Sequence, residues 1–293
     1  MLRLIKAFLF KISRDITFRI TLIIGVALAL TSTLGLFAIG MLIGGNDAQL
    51  AKQMLNGQSM LVNSLSPAQN FGIAIPVNLI SFIALEFNHG TIRNKIIAGN
   101  SKFNIYSSLF ISGLFFAFAL LLVYVGLCTG ISSLIGGFDP NGEGAALLGG
   151  GSTFTPSYIG RMVVVGLLTY VSLVSFTVFI ITLFRNIGPS IPVVIVLILA
   201  LYFVGAIISP LAELAKELDD ISFDGVVWAA RILDPLYAIS SSETKIEFID
   251  SEHYEVYKVL SNETFITGII NNVVYTGIFF AAGSLIFRKR DVK

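Results

Sequence analysis

The chain has 293 residues, 55% of them apolar and only 13% charged, with a mean hydropathy of +0.85 and a formal net charge of +1. That composition excludes an ordinary soluble domain, and the single cysteine, Cys128, excludes an intramolecular disulfide. Long runs such as residues 190–208 are apolar on every face, whereas membrane-crossing strands would alternate, so the fold class is an all-α integral membrane protein.

In chain order, residues 1–19 predict an interfacial helix. Leu2, Ile5, Phe8, Leu9, Ile12 and Ile16 share one arc at 100° per residue, and Arg3, Lys6, Lys11 and Arg14 fall on the opposite one. Six apolar runs follow, at 20–43, 69–87, 105–130, 158–183, 189–208 and 265–287, each near the roughly 20 residues that a helix needs to cross a bilayer. The apolar core of the first is too long for a cleaved signal peptide, so it is expected to remain in the membrane. Pro76 and nearby glycines are expected to kink the second. The one long polar segment, 209–264, predicts two or three short helices on the outer leaflet. One would span 209–220, capped by Ser209 with Pro210 at its first position, and another 223–233, with Trp228 at the interface.

An even number of spans puts both termini on one side. With that side cytoplasmic, segments 1–19, 88–104, 184–188 and 288–293 hold 13 of the 19 Lys and Arg against three acids, Asp15, Glu86 and Asp291, a net of +10. The outer segments carry the remaining six bases against 15 acids, a net of −9. The near-neutral total is therefore the sum of two opposed halves and gives no sign of nucleic-acid binding; the basic ends face anionic membrane lipid.

Between their polar ends the six spans contain no Asp, Glu, Lys, Arg or His; Glu86, Arg161 and Arg185 sit at span edges. An ion-coupled transporter keeps an ionisable group near mid-membrane, and an intramembrane protease needs a nucleophile with a base, or paired acids, at depth. Neither is present, and no catalytic residue is expected. His89 and His253 lie in loops on opposite sides, and no His or Cys pair has metal-ligand spacing. No GxxxxGK[ST] loop exists, so the chain itself is expected to bind no ATP or other cofactor, and energy for uphill movement would come from another protein.

Residues 85–102, LEFNHGTIRNKIIAGNSK, concentrate an acid, a histidine, an arginine and two lysines between two apolar runs. Gly90 breaks the preceding helix, Thr91 can cap, residues 91–98 can wind about two turns over roughly 12 Å, and Gly99 can stop them. Ile92 and Ile96 share one side with Ile97 nearby, while Arg93 and Lys95 project polar groups elsewhere. Two readings suit such a strip: a peg docking in a partner's groove, or a basic connector whose isoleucines sink into the membrane interface.

The stretch EFNHGTIRNKIIAG resembles the cytoplasmic signature of type-2 ABC transporter permeases, the membrane subunits of bacterial ABC exporters. In these an E-F-x-x-G-T-x-(R/K) motif follows the second span, and Glu86, Phe87, Gly90, Thr91 and Arg93 fall on that pattern. The likeness extends over nearly the whole chain: interfacial helix, six spans, a long outer segment between spans five and six, and a basic tail. It implies a bacterial cytoplasmic membrane, and a coupling helix at 91–98 with Ile92, Lys95 and Ile96, seated in a separate ATPase subunit that binds ATP and Mg. Glu86 would pair with a nearby base or hydrogen-bond the start of that helix. It further implies two ATPase chains and a second permease chain, identical or paralogous. The substrate path would be bordered by spans one, two and five, which offer Thr31, Ser32, Thr33, Asn78, Ser81 and Tyr202, each also an ordinary packing residue. The expected cargo is an amphipathic peptide of toxin or antimicrobial type, with a drug, lipid or glycan as alternatives. A membrane anchor or sensor that transports nothing is the reading of another class.

Overall fold

In the computed structural model, Asp15 divides the N-terminal helical stretch into α1 (Leu2–Arg14) and α2 (Ile16–Gly44), its carboxylate accepting from the Thr17 N–H at 2.7 Å. The structure describes residues 2–44, 55–67, 72–138, 152–154, 156–217, 232, 243–248 and 254–290. Among these, α3 (Gly57–Leu65), α4 (Ala74–Asn88), α5 (Thr91–Ile97), α6 (Lys102–Gly136), α7 (Pro156–Phe184), α8 (Ile187–Glu217) and α9 (Asn262–Lys289) complete the helical set. Three strands, β1 (Ser152–Phe154), β2 (Glu243–Phe248) and β3 (Tyr254–Val259), form a small sheet in the order β1-β3-β2.

Among the described residues, four helical stretches are long and apolar enough to cross a membrane: Ile16–Leu42, Lys102–Gly136, Ser157–Phe184 and Asn262–Lys289. The chain is thus a largely helical, multi-pass membrane protein. The expected second span is shorter than the sequence suggests, because α4 has 15 residues, about 22 Å against a hydrocarbon core of about 30 Å. Pro76 does not kink it. The proline is the third residue of the helix, where the N–H would have no intrahelical acceptor. The fifth apolar run extends in the other direction, since the helical backbone of α8 continues through Ser209 and Pro210 to Glu217. Ser209 is therefore not a cap, and there is no separate helix beginning at 209.

Residues 243–248 and 254–259 lie in the segment expected to form short helices and instead form two paired strands. The first, ETKIEF, alternates charged residues with Thr, Ile and Phe at the period of a strand, and the second, YEVYKV, is rich in Val and Tyr. β2 and β3 pair antiparallel from Glu243↔Val259 to Phe248↔Tyr254, and β1 pairs parallel to β3 from Ser152↔Val256 to Phe154↔Lys258. Of the stretch 223–233 only Ile232 is described; Trp228 lies outside the described residues.

β1 leads into α7 and β3 into α9, so the parallel strand pair is followed by a parallel helix pair. Contacts run up this seam in register: Arg161 donates to the Leu260 carbonyl (2.6 Å), Ser172 to Asn272 Oδ1 (2.9 Å) and Ser175 to the Thr276 carbonyl (3.0 Å). Small polar side chains of this kind hold membrane helices together where lipid is as apolar as the helix surface. Close approach also needs small residues. A Cβ built on Gly283 of α9 would lie 2.1 Å from the Tyr106 hydroxyl of α6. At the end of the bundle away from the sheet, basic side chains tie off helix carbonyls: Lys102 Nζ donates to the carbonyls of Arg288 and Arg290 at 3.0 Å, and Arg290 to that of Leu183 at 2.5 Å.

Between the first two apolar runs, α3 is a helix with Gly57, Gln58, Met60, Val62, Ser64 and Leu65 buried. Asn56 caps it, accepting from the Ser59 N–H at 2.7 Å, and the Gly57 and Gln58 N–H groups donate to the carbonyls of Gly137 and Phe138 at the end of α6. Two helix ends thus satisfy each other inside the protein.

Candidate functional site, a clamped helix at the basic end

The chain leaves α4 through His89 and turns on Gly90, whose φ of +65° is a left-handed conformation that glycine adopts without strain. Gly90 is itself the cap of α5, which covers Thr91–Ile97, so Thr91 is the first helical residue and not the cap. Gly99, at φ +85°, ends the strip, and the Asn100 amide donates to the Lys95 carbonyl at 2.9 Å. The two glycines bracket the short helix as their positions in the sequence imply.

Glu86 occupies the last turn of α4 with its side chain 1% exposed. An isolated carboxylate there would cost several kcal/mol in lost hydration. Two lysines from different helices prevent that: Lys11 of α1 reaches Oε1 at 2.5 Å and Lys95 of α5 reaches Oε2 at 2.7 Å. Lys95 Nζ also sits 3.4 Å from the centroid of the buried Phe8 ring of α1, and Lys11 Nζ lies 5.5 Å from that of Phe82 of α4. Burial pushes the Lys95 ammonium below its ordinary range; the hydrogen bond and charge of Glu86 oppose this, and the charge of Lys11 adds to it. One carboxylate thereby joins three helices.

Two assignments change as a result. Lys11 does not belong to the solvent-facing arc of α1: it turns inward with Leu4, Phe8 and Ile12, and α1 is docked on the protein along that stripe. Lys95 likewise does not project outward, because Glu86 holds it. Ile92 is fully buried and Ile96 packs partly against the core, so neither offers a free apolar surface. What α5 presents outward is Arg93, Asn94 and Ile97, the last 73% exposed. Phe87 packs edge-on against Phe287 of α9 with ring centroids 6.2 Å apart, under the Arg185 guanidinium. Glu86 thus links α5 to α1 and α4, and Phe87 links α4 to α9.

Most of the residues expected to line a path bond within their own helices. Thr31, Ser32 and Thr33 donate to carbonyls of α2 itself, Asn78 and Ser81 to carbonyls of α4, and each thereby satisfies its polarity within its own helix. Ser32 also approaches Cys128 Sγ at 3.9 Å. Tyr202 alone reaches a distant backbone group, donating to the Pro67 carbonyl at 2.9 Å and so tying α8 to the connection between α3 and α4.

The sequence reading missed Phe8 and Lys11 as partners of the strip. The signal was their spacing: Leu4, Phe8, Lys11 and Ile12 follow i, i+4, i+7, i+8, the stripe of a helix packed on protein. No protein-family model, curated protein or solved structure matches the chain.

Proposed function

We propose that the chain is the membrane subunit of an ATP-driven exporter, with six spans and both termini in the cytoplasm of a bacterial cell, and that α5 transmits motion from a separate ATPase. The reading rests on the resemblance of residues 86–98 to the coupling signature of type-2 ABC permeases. One observation supports it most: a two-turn helix is anchored on its inner side by a buried Lys11–Glu86–Lys95 cluster while Arg93, Asn94 and Ile97 stay outward. Such a helix can receive a push on its outer face and deliver it to three helices at once. A helix that only sank its isoleucines into the interface would have no need of a buried ion cluster beneath it.

Two such chains would pair around the transport path, with two ATPase chains below them holding ATP and Mg. An uncharged, apolar path suits an amphipathic peptide better than a hydrophilic ion, and peptide export is the cargo we favour. The test is hydrolysis by an ABC ATPase, sought among the neighbouring genes and purified together with this chain. Wild-type protein is expected to stimulate hydrolysis, and the double variant Arg93→Glu, Ile97→Asp to lose that stimulation while remaining folded. Absence of any wild-type effect on the ATPase would leave a docking or sensing role without transport.

A further inference from the structure

A cavity of about 270 Å³ lies between α7, α8 and α9, lined by Ser172 and Phe176 from α7, Leu197 and Ala200 from α8, and Tyr275 and Phe279 from α9. None of its lining residues belongs to the clamped helix or is one of those expected to line a path. We infer that this cavity holds the terminal part of an alkyl chain of a membrane lipid.

The first argument is depth. Tyr275 and Phe279 lie about 20 and 25 Å along the 28-residue α9, near its middle. Ser172 and Ala200 are close to the middle of α7 and α8. In a hydrocarbon core about 30 Å thick, the middle of a span is beyond the reach of a headgroup, so only chain ends arrive there. Chemistry agrees: no charged residue lines the cavity, and the Ser172 hydroxyl is already committed to Asn272. The Tyr275 hydroxyl is likewise committed, donating to the Ile232 carbonyl at 3.3 Å. What remains is an uncharged slot with aromatic walls, Phe176 lying edge-on to Phe279 at 5.1 Å and Tyr275 stacking on Phe279 at 5.9 Å.

Continuity supplies the third argument. Beside the lining residues in sequence, Val196 and Phe203 of α8 are 64% and 67% exposed and Val274 and Ile278 of α9 are 50% and 56% exposed, apolar surface that continues from the cavity helices. A lipid lying on that face needs only to turn one chain inward to fill the slot. The site is independent of the ATPase reading, and its failure would leave that reading untouched.

The test places the full-length protein in nanodiscs of phosphatidylcholine containing a small fraction of the same lipid with a photoreactive diazirine at the end of one acyl chain. Adducts are mapped by mass spectrometry. Peptides bearing Phe176, Leu197 and Phe279 should be labelled more heavily than the one bearing Leu122, which is 75% exposed on α6. Ala200→Trp should reduce cavity labelling about tenfold, what excluding roughly two methylenes from an apolar site costs, and leave Leu122 labelling unchanged. Ala200→Leu serves as the smaller plug if the tryptophan variant does not fold. Cavity labelling no heavier than at Leu122, or unaffected by either plug, would show ordinary surface lipid only and overturn the assignment. So would equal labelling by a probe whose diazirine sits beside the headgroup.

Discussion

Glu86 concentrates more consequence than any other side chain at the basic end, because it is a buried charge whose two oxygens are each matched by a lysine from another helix. Glu86→Ala should lower stability by about 3–5 kcal/mol, the range for breaking a buried pair from one side, read as a fall in the thermal midpoint in detergent. Arg93→Ala, on the outer face of α5, should change it by less than about 0.5 kcal/mol. Equal effects would mean that the cluster does not clamp the strip. Lys11→Met should cost less than Lys95→Met, since the Lys11 side chain is 36% exposed and partly screened by water while that of Lys95 is 16% exposed. The pH dependence has a definite sign. Lys95 titrates below its ordinary 10.5 in the fold, so between the two values the unfolded chain holds more protons and stability from this group rises with pH. Relative to Lys95→Arg, which stays charged, the wild type should gain thermal midpoint as pH climbs toward 10.5; a flat difference would contradict the assignment.

At the scale of elements, the two glycine-dependent features behave differently. Gly90 has open space where a Cβ would go, so Gly90→Ala should cost only the left-handed backbone strain, about 1–2 kcal/mol. Gly283→Ala meets the Tyr106 ring and hydroxyl and should cost about 1–3 kcal/mol by overpacking, with part of the loss recovered by Tyr106→Leu. Thermal midpoints of the two single variants and the double variant decide this; no recovery in the double would mean that α6 and α9 do not meet there. The ends of α5 were legible in the sequence because φ-permissive glycines are local signals. The inward turn of Lys11 was not, because its partner is 75 residues away and its arc assignment needed only the helical period. Helix α3 was hidden for a related reason: nine residues of mixed polarity look like loop until the end of α6 supplies acceptors for their first N–H groups. Residues 243–248 carried the strand alternation openly, but a chain so rich in apolar helix invites a helical reading of its polar segment.

For the whole molecule, composition carries the membrane assignment, and among the described residues four helical stretches are long and apolar enough to cross a bilayer. Of the other two apolar runs, α4 is short because it starts only at Ala74, after the connection that Tyr202 reaches, while α8 is a 31-residue helix that runs on past the proline taken to begin a new one. Interior polarity is arranged as helix-to-helix adhesive along α7 and α9 and as an ion cluster under α5. The central claim is that the outer face of α5 seats on an ATPase. Its most direct measurement is site-specific cross-linking of that complex in a Cys128→Ser background, with a bifunctional thiol reagent applied to Ile97→Cys and, separately, to Ile92→Cys. The account predicts a permease–ATPase adduct from position 97 and none from the buried position 92. An adduct absent from both positions, or formed equally from both, would contradict it.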